Sequence, residues 1–169
     1  MSGHDHETDR RKAAEKAFFE QYRTDDSPLS PVDVAEIQRT KLAPCHTTGD
    51  DRYSDNKRAF HQRILRDGGW ENKYVLDYAC GTGMWSIYFA LTGARQVVGF
   101  DLAESGVRRG QELAQRQGLA GKVSLLVGDA TRLPFPNDHF EIIIGTAVIH
   151  HVIKYPNVFE ELHRVLKPG

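Results

Sequence analysis

Long apolar runs are missing from this chain. No stretch approaches the roughly 20 residues that a bilayer span requires, and the opening "MSGHDHETDRRK" lacks the apolar centre of a secretory signal. A cytoplasmic chain that crosses no membrane is the expectation. An excess of either charge is missing as well, since 22 Lys+Arg stand against 23 Asp+Glu for a formal net charge of -1. No global field then recruits nucleic acid or an anionic membrane, and small molecules are the expected partners. Cysteine is scarce: Cys45 and Cys80 lie far apart without CxxC spacing, which excludes a disulfide framework and a thiolate metal site. Reduced thiols suit the cytoplasm. Histidine is not scarce, at 8, but none shows the i, i+4 helical spacing of a zinc motif, and His4 and His6 lie in a polar tail. No metal is expected. Internal repeats and low-complexity segments are absent too.

What is present is enough for one domain, because a chain of 169 residues and 19.1 kDa can bury roughly 70% of its unfolded surface. From Tyr74 onward short apolar runs, "YVLDY", "QVVGF", "KVSLLV" and "FEIIIG", alternate with helical patterns. That alternation predicts an α/β fold with a parallel sheet built from βαβ units. One helix is expected over Met84 to Leu91, burying Trp85 and Tyr88 and ending at Gly93. Another is expected over Glu104 to Gln117, with Val107 and Leu113 inward, Arg108, Arg109, Gln111 and Glu112 outward, and Gly118 as its stop. A last helix in "YPNVFEELHRVLKPG" places Phe159, Leu162, Val165 and Leu166 in register before Pro168.

Ahead of the sheet, "RRKAAEKAFFEQYR" predicts an amphipathic helix with Ala14, Ala17, Phe18 and Tyr22 near one face, ended by "TDDSPLSP". Ser30 reads as an N-cap with Pro31 at the first position of a short helix through Val34 and Ile37. A third helix from about Asp55 turns Phe60, Ile64 and Leu65 inward and stops at Gly68 and Gly69. Spacing assigns these helices nothing catalytic. Two roles are open to them, a packing cap or oligomer surface, and a lid over a ligand, for which Tyr53 is the first contact to test.

Ligands of such sheets bind beyond the carboxyl ends of the strands, so the residues closing each strand carry the information. They are Asp77 and Gly81, then Asp101, then Asp129, then Thr146 with His150 and His151. Gly81 and Gly83 allow a tight turn that brings backbone N–H groups and a helix N-terminus to the ligand. Asp101 falls about 20 residues beyond the first glycine, where an acid accepts both hydroxyls of a ribose. Asp77 would repel a pyrophosphate at the turn but suits an ammonium-bearing ligand, and Asp129 with the Ala130 backbone can meet the amine and edge of an adenine. Each acid also has a plainer use, Asp101 as a helix N-terminal charge ahead of Glu104, Asp129 as the start of an Asx turn before Thr131.

The order of "VLDYACGTG", "VVGFDLAESGV", "LLVGDATRLPFPNDHFEIIIGTAVIHHV" and "FEELHRVLKPG" resembles the class I S-adenosylmethionine-dependent methyltransferases, in particular the small-molecule branch called methyltransferase type 11. The resemblance runs from about Tyr74 to the end. It implies a Rossmann-like sheet with helices on both faces in residues 71–169, behind an N-terminal tail and helical cap in residues 1–70, and S-adenosylmethionine as cofactor. Gly81 and Gly83, supported by Asp77, are similar to the turn facing the methionine part; Asp101 to the ribose acid, with Leu102 beside the adenine; Asp129 and Ala130 to the adenine-edge pair; and Thr146 to a strand-four contact of the amino group. Two departures stand out. Ala79 replaces a first glycine, which the turn tolerates if the φ of Ala79 is negative. And the family continues past "LKPG" with about three more strands, so the sheet is expected to look truncated after its fourth strand, with an open edge on "FEIIIG" that favours self-association.

The implied reaction is an in-line displacement that carries a methyl group to a small-molecule acceptor. His151, and less directly His150, stands where an imidazole could take the proton of a phenolic acceptor; packing of the loop is the alternative use. Arg132 and His139 read as solvated surface. Two rivals remain in sequence terms. A nicotinamide-dependent oxidoreductase shares the turn and Asp101 but leaves Asp77 and Asp129 unexplained, and no Tyr-x-x-x-Lys pair follows the fourth strand. A cofactor-binding subunit or fragment without transfer activity is the other.

Overall fold

A computed structural model of the chain describes residues 3–22, 28–40 and 55–169. Four parallel strands, β1 (Tyr74–Tyr78), β2 (Gln96–Asp101), β3 (Val123–Val127) and β4 (Ile142–Ile144), form one sheet in the order β3-β2-β1-β4. The order reverses between β1 and β4, and a reversal of this kind opens a crevice at the strand ends. Seven helices accompany the sheet among the described residues: α1 (Gly3–Tyr22), α2 (Val34–Thr40), α3 (Asp55–Asp67), α4 (Met84–Leu91), α5 (Glu104–Arg116), α6 (Ile149–Val152) and α7 (Pro156–Val165).

Both faces of the sheet are covered, as the parallel pairing requires. On one face Val75 and Val97 pack with Trp85, Ile87 and Phe89 of α4, Val107 and Leu113 of α5, and Ile37 of α2. On the other, Leu76 and Tyr78 pack with Phe100, Phe140, Val148, Val158 and Val165, from β2, the approach to β4, and the α6–α7 segment. Trp70 joins the first cluster and donates from its indole to Thr92 Oγ1 at 2.9 Å, which ties the entry to β1 onto the end of α4. Close backbone approach explains two glycines. A Cβ on Gly99 would lie 2.3 Å from Leu125, and one on Gly110 would lie 2.4 Å from the Thr82 carbonyl, so α5 packs directly against the glycine turn after β1.

The strands and the helices between them fall where the sequence places them, while several details differ. Helix α1 begins at Gly3 instead of after a polar tail, and Ala14, Ala17 and Phe18 face solvent. Its half-buried stripe is Thr8, Lys12, Glu15, Lys16, Phe19 and Glu20, because it docks against a polar surface and an apolar stripe would have no partner there. Helix α2 opens at Val34, with Asp33 Oδ1 accepting the Glu36 N–H at 3.0 Å, so Asp33 replaces Ser30 as the cap. Phe60 and Phe159 are exposed, and Arg109 is half-buried. His139 is no free surface group; it stacks on Phe135 and meets Phe140 edge-on. Leu166 leaves α7 in an extended conformation and bridges Phe140 in parallel, which covers the approach to β4, while β4 itself is an outer strand of the sheet.

Candidate functional site: a carboxylate-lined cavity at the strand ends

A cavity of about 290 Å³ opens at the carboxyl ends of all four strands. Ala79 lines it from beyond β1, Asp101 and Leu102 from β2, Asp129 and Ala130 from beyond β3, and Thr146 and His151 from beyond β4. Seven of the residues singled out in the sequence are therefore brought together. Gly81, Gly83, Asp77 and His150 are not among the lining residues, and Tyr53 lies outside the described residues. His150 is exposed, its ring 4.0 Å from that of His151.

The glycine turn works differently from the sequence expectation. Gly81 and Gly83 take φ of 59° and 67°, the left-handed conformations the turn demands. Their N–H groups, however, are used inside the protein: Gly81 donates to Asp101 Oδ2 at 2.7 Å and Gly83 to the Cys80 carbonyl at 2.8 Å. The turn thus locks β1 to β2 and offers neither of these donors to a phosphate. Ala79 also has φ of 55°, against the negative value expected for a residue with a Cβ. Ala147, beyond β4, shares that φ of 55° and lines the same cavity. Non-glycine residues hold this conformation at a cost of order 1–3 kcal/mol and cluster at functional sites, so strain is stored on two neighbouring strand tips.

The acids divide into a buried one and two that reach the cavity. Asp77 is 1% exposed, and its Oδ2 accepts from Ser86 Oγ at 2.6 Å while Oδ1 has no hydrogen-bond partner. Burial pushes its pKa up to about 7, with the Ser86 bonds opposing and Asp101 adding to the rise. Asp101 accepts from Gly81 N through Oδ2 and from Ala103 N through Oδ1, at 2.7 and 2.8 Å. The plainer use of Asp101, securing the start of α5, is therefore real, and the residue also lines the cavity. Asp129 likewise makes the Asx turn, its Oδ1 accepting from the Thr131 N–H at 2.8 Å and the Thr131 hydroxyl at 2.9 Å. Its Oδ2 accepts from Lys12 Nζ at 2.6 Å. Burial raises the Asp129 carboxyl, but the bonds from Lys12 and Thr131 together outweigh it and hold the group below the ordinary carboxylate value.

Helix α1 contributes a wall whose residues were not among those singled out in the sequence. Lys12, Glu15 and Phe19 all line the cavity. Glu15 Oε1 pairs with Lys154 at 2.7 Å and stands 3.9 Å from His151 Nδ1, and its Oε2 accepts from the Tyr155 hydroxyl at 3.4 Å. Phe19 meets the His151 ring edge-on at 5.3 Å. Burial lowers the His151 pKa, His150 lowers it further, and Glu15 opposes, so the imidazole is neutral near pH 7. Beneath them Tyr78 lines the floor, its hydroxyl buried without a partner and its pKa raised by burial and by the surrounding Asp129, Asp101 and Glu15. The signal that could have located α1 is the charge at positions 12, 15, 16 and 20, a helical stripe that an apolar-face search passes over.

Comparison with known proteins places the chain in a family. The family described as "Methyltransferase domain" matches residues 75–169. The chain belongs to this family. Among curated relatives of the methyltransferase domain in this chain, a demethylmenaquinone methyltransferase of Geobacillus kaustophilus is 36% identical over 101 residues, covering 59% of this chain and 43% of the relative. A probable chloroplastic tocopherol O-methyltransferase of rice (Oryza sativa subsp. japonica) is 38% identical over 124 residues, covering 73% of this chain and 34% of the relative. The chain thus spans less than half the length of these relatives. The crystal structure of the [4+2]-cyclase SpnF matches with a TM-score of 0.61 at 25% identity, over 72% of this chain and 46% of that one.

Membership in this family implies S-adenosylmethionine as the cofactor, and the residues present fit it. Asp101, Asp129 and Glu15 around the cavity make an acidic surround that suits a cationic nucleoside, and the Gly81 and Gly83 N–H groups are already engaged within the protein. Among the described residues no group of three or more His, Cys, Asp or Glu could hold a metal ion, and no helix is long and apolar enough to cross a membrane.

Proposed function

We propose that the chain binds S-adenosylmethionine at the strand-end cavity and serves methyl transfer to a small-molecule acceptor. The observation that supports this most is the convergence of Asp101 and Asp129, on successive strand tips, around one cavity. Asp101 would hold the ribose hydroxyls with Leu102 against the adenine, Asp129 and the Ala130 backbone the adenine edge, and Thr146 the amino group. Gly81, Gly83, Asp77 and Ala79 would shape the turn behind the methionine part. When bound, the cofactor supplies an electrophilic methyl on a cationic sulfur.

The chain's own task is to align the acceptor, exclude water and manage its proton. His151 is the base in this reading, since it lines the cavity and is neutral near pH 7; His150 adjoins it as its neighbour and not as a second base. A phenolic acceptor suits such an imidazole, and the relative named for tocopherol is consistent with that class. Residues 1–70 act as the cap and 71–169 as the cofactor-binding unit. The chain works in the cytoplasm, with the β4 edge as the place where copies or a partner would associate.

Radiometric transfer from methyl-labelled S-adenosylmethionine to a panel of phenols and quinols tests the reading. His151→Ala should retain cofactor binding and lose turnover by roughly 100-fold, the usual order for a lost general base. Unchanged turnover in that variant would remove the base. A second reading is binding without transfer. Saturable cofactor binding with no transfer to any acceptor would select it.

A further inference from the structure

We propose that α1 is a displaceable latch over the cofactor cavity, with the Lys12 ammonium holding the place on Asp129 that a ligand amine must take. The inference rests on the cofactor reading above and adds a competition inside it. Lys12 Nζ lies 2.6 Å from Asp129 Oδ2 and 2.8 Å from Thr131 Oγ1, and 5.7 Å from the centre of the Tyr155 ring. With Thr131 bonded twice to Oδ1, the Asp129 carboxylate is already served on both oxygens. An incoming amine finds its acceptor engaged by the protein's own cation. A cationic ligand meets Lys12 as a like charge besides.

The rest of α1 is held in the same manner. Glu15 pairs with Lys154, and the Glu20 carboxylate accepts the N–H groups of Glu104 and Ser105 at 2.6 and 3.1 Å, at the start of α5. No residue from position 6 to 21 of α1 is buried, and its docking stripe is polar except for Phe19. A helix docked through charge, with little apolar area removed from water, belongs to the low-stability end of a structure and opens without unfolding the remainder. The floor beneath it fits a closed, unliganded arrangement: the Tyr78 hydroxyl is buried and unpartnered, a state that contact with a ligand would relieve. Lys12 on Asp129 and a ligand amine on Asp129 are thus alternatives, and entry requires α1 to swing away or to withdraw its lysine.

Two measurements on the full chain test the latch, with Arg10→Met, an exposed charge on the same helix, as the control. In ligand-free protein, Lys12→Met should speed amide hydrogen exchange across Gly3–Tyr22, and Arg10→Met should not. In calorimetry with S-adenosylmethionine, Lys12→Met should bind roughly tenfold more tightly than wild type, the gain expected if the latch is closed about nine-tenths of the time. Equal or weaker binding by Lys12→Met, beside a wild type that binds, overturns the competition and leaves the cofactor reading intact. If exchange in α1 is unchanged, the latch itself is overturned. Should neither protein bind S-adenosylmethionine, the cofactor reading falls and the competition falls with it.

Discussion

The strand-tip wall of the cavity and the α1 wall face each other but are built by opposite means. Behind Ala79, Asp101 and Asp129 lie Val75, Leu76, Phe89, Phe100 and Leu125, all buried, and glycines at 99 and 110 that admit no side chain. Behind Lys12 and Glu15 lies solvent. Apolar burial of about 25 cal/mol per Å² fixes the first wall, whereas partly exposed ion pairs, each worth on the order of 1 kcal/mol or less, secure the second. A site so divided keeps its ligand-reading acids rigid and confines adjustment to one helix.

The contrast can be broken most severely from the rigid side. Gly110→Val should cost about 4 kcal/mol or more, enough to unfold a marginal domain, because the new side chain would drive α5 off the Thr82 carbonyl; chemical denaturation reads it. Asp77 gives the next largest effect. Its folded pKa of about 7 lies above the ordinary 3.8, so between those pH values the folded chain keeps a proton that the unfolded chain has released. The contribution of Asp77 to stability is therefore complete below about pH 4 and lost as pH rises to about 7, by up to roughly 4 kcal/mol. Subtracting the pH profile of Asp77→Asn from that of the wild type should expose this slope, and parallel profiles would contradict the burial assigned to the carboxyl.

Smaller changes sharpen the contrast. Ala79→Gly should raise the denaturation midpoint by the equivalent of about 0.5–1 kcal/mol, since glycine holds φ of 55° without a Cβ clash. A lowered midpoint would show that the strain is not there. On the α1 side, Glu20→Gln should leave global stability within about 0.5 kcal/mol while speeding exchange along α1, because it weakens only the tie to Glu104 and Ser105. A global loss would mean that the two walls fold as one unit.

How far the sequence could be read follows the same division. The strands, α4 and α5 were legible because apolar period and glycine stops agree there, as at Gly93 and Gly118. The strand-tip acids were legible because topology alone sends residues after parallel strands to one edge. The positive φ of Ala79 was not, since its side chain argued for the opposite and the constraint comes from the neighbouring strands. Helix α1 was misread on its facing: Phe18 looked like an inward anchor, but the surface it docks on is made of Asp129, Thr131 and Lys154, distant in sequence, and that surface selects Lys12 and Glu15. Engagement of the Gly81 N–H by Asp101 was equally hidden, because both uses of that acid carry the same spacing.

The central claim is that acids on neighbouring strand tips select a cationic adenosine derivative over a dinucleotide diphosphate. Isothermal titration of the folded chain with S-adenosylmethionine and, separately, with NAD tests it most directly. The account predicts saturable one-to-one heat with the sulfonium compound, weakened by Asp101→Asn, and none with the dinucleotide. Heat with NAD and none with S-adenosylmethionine would contradict it.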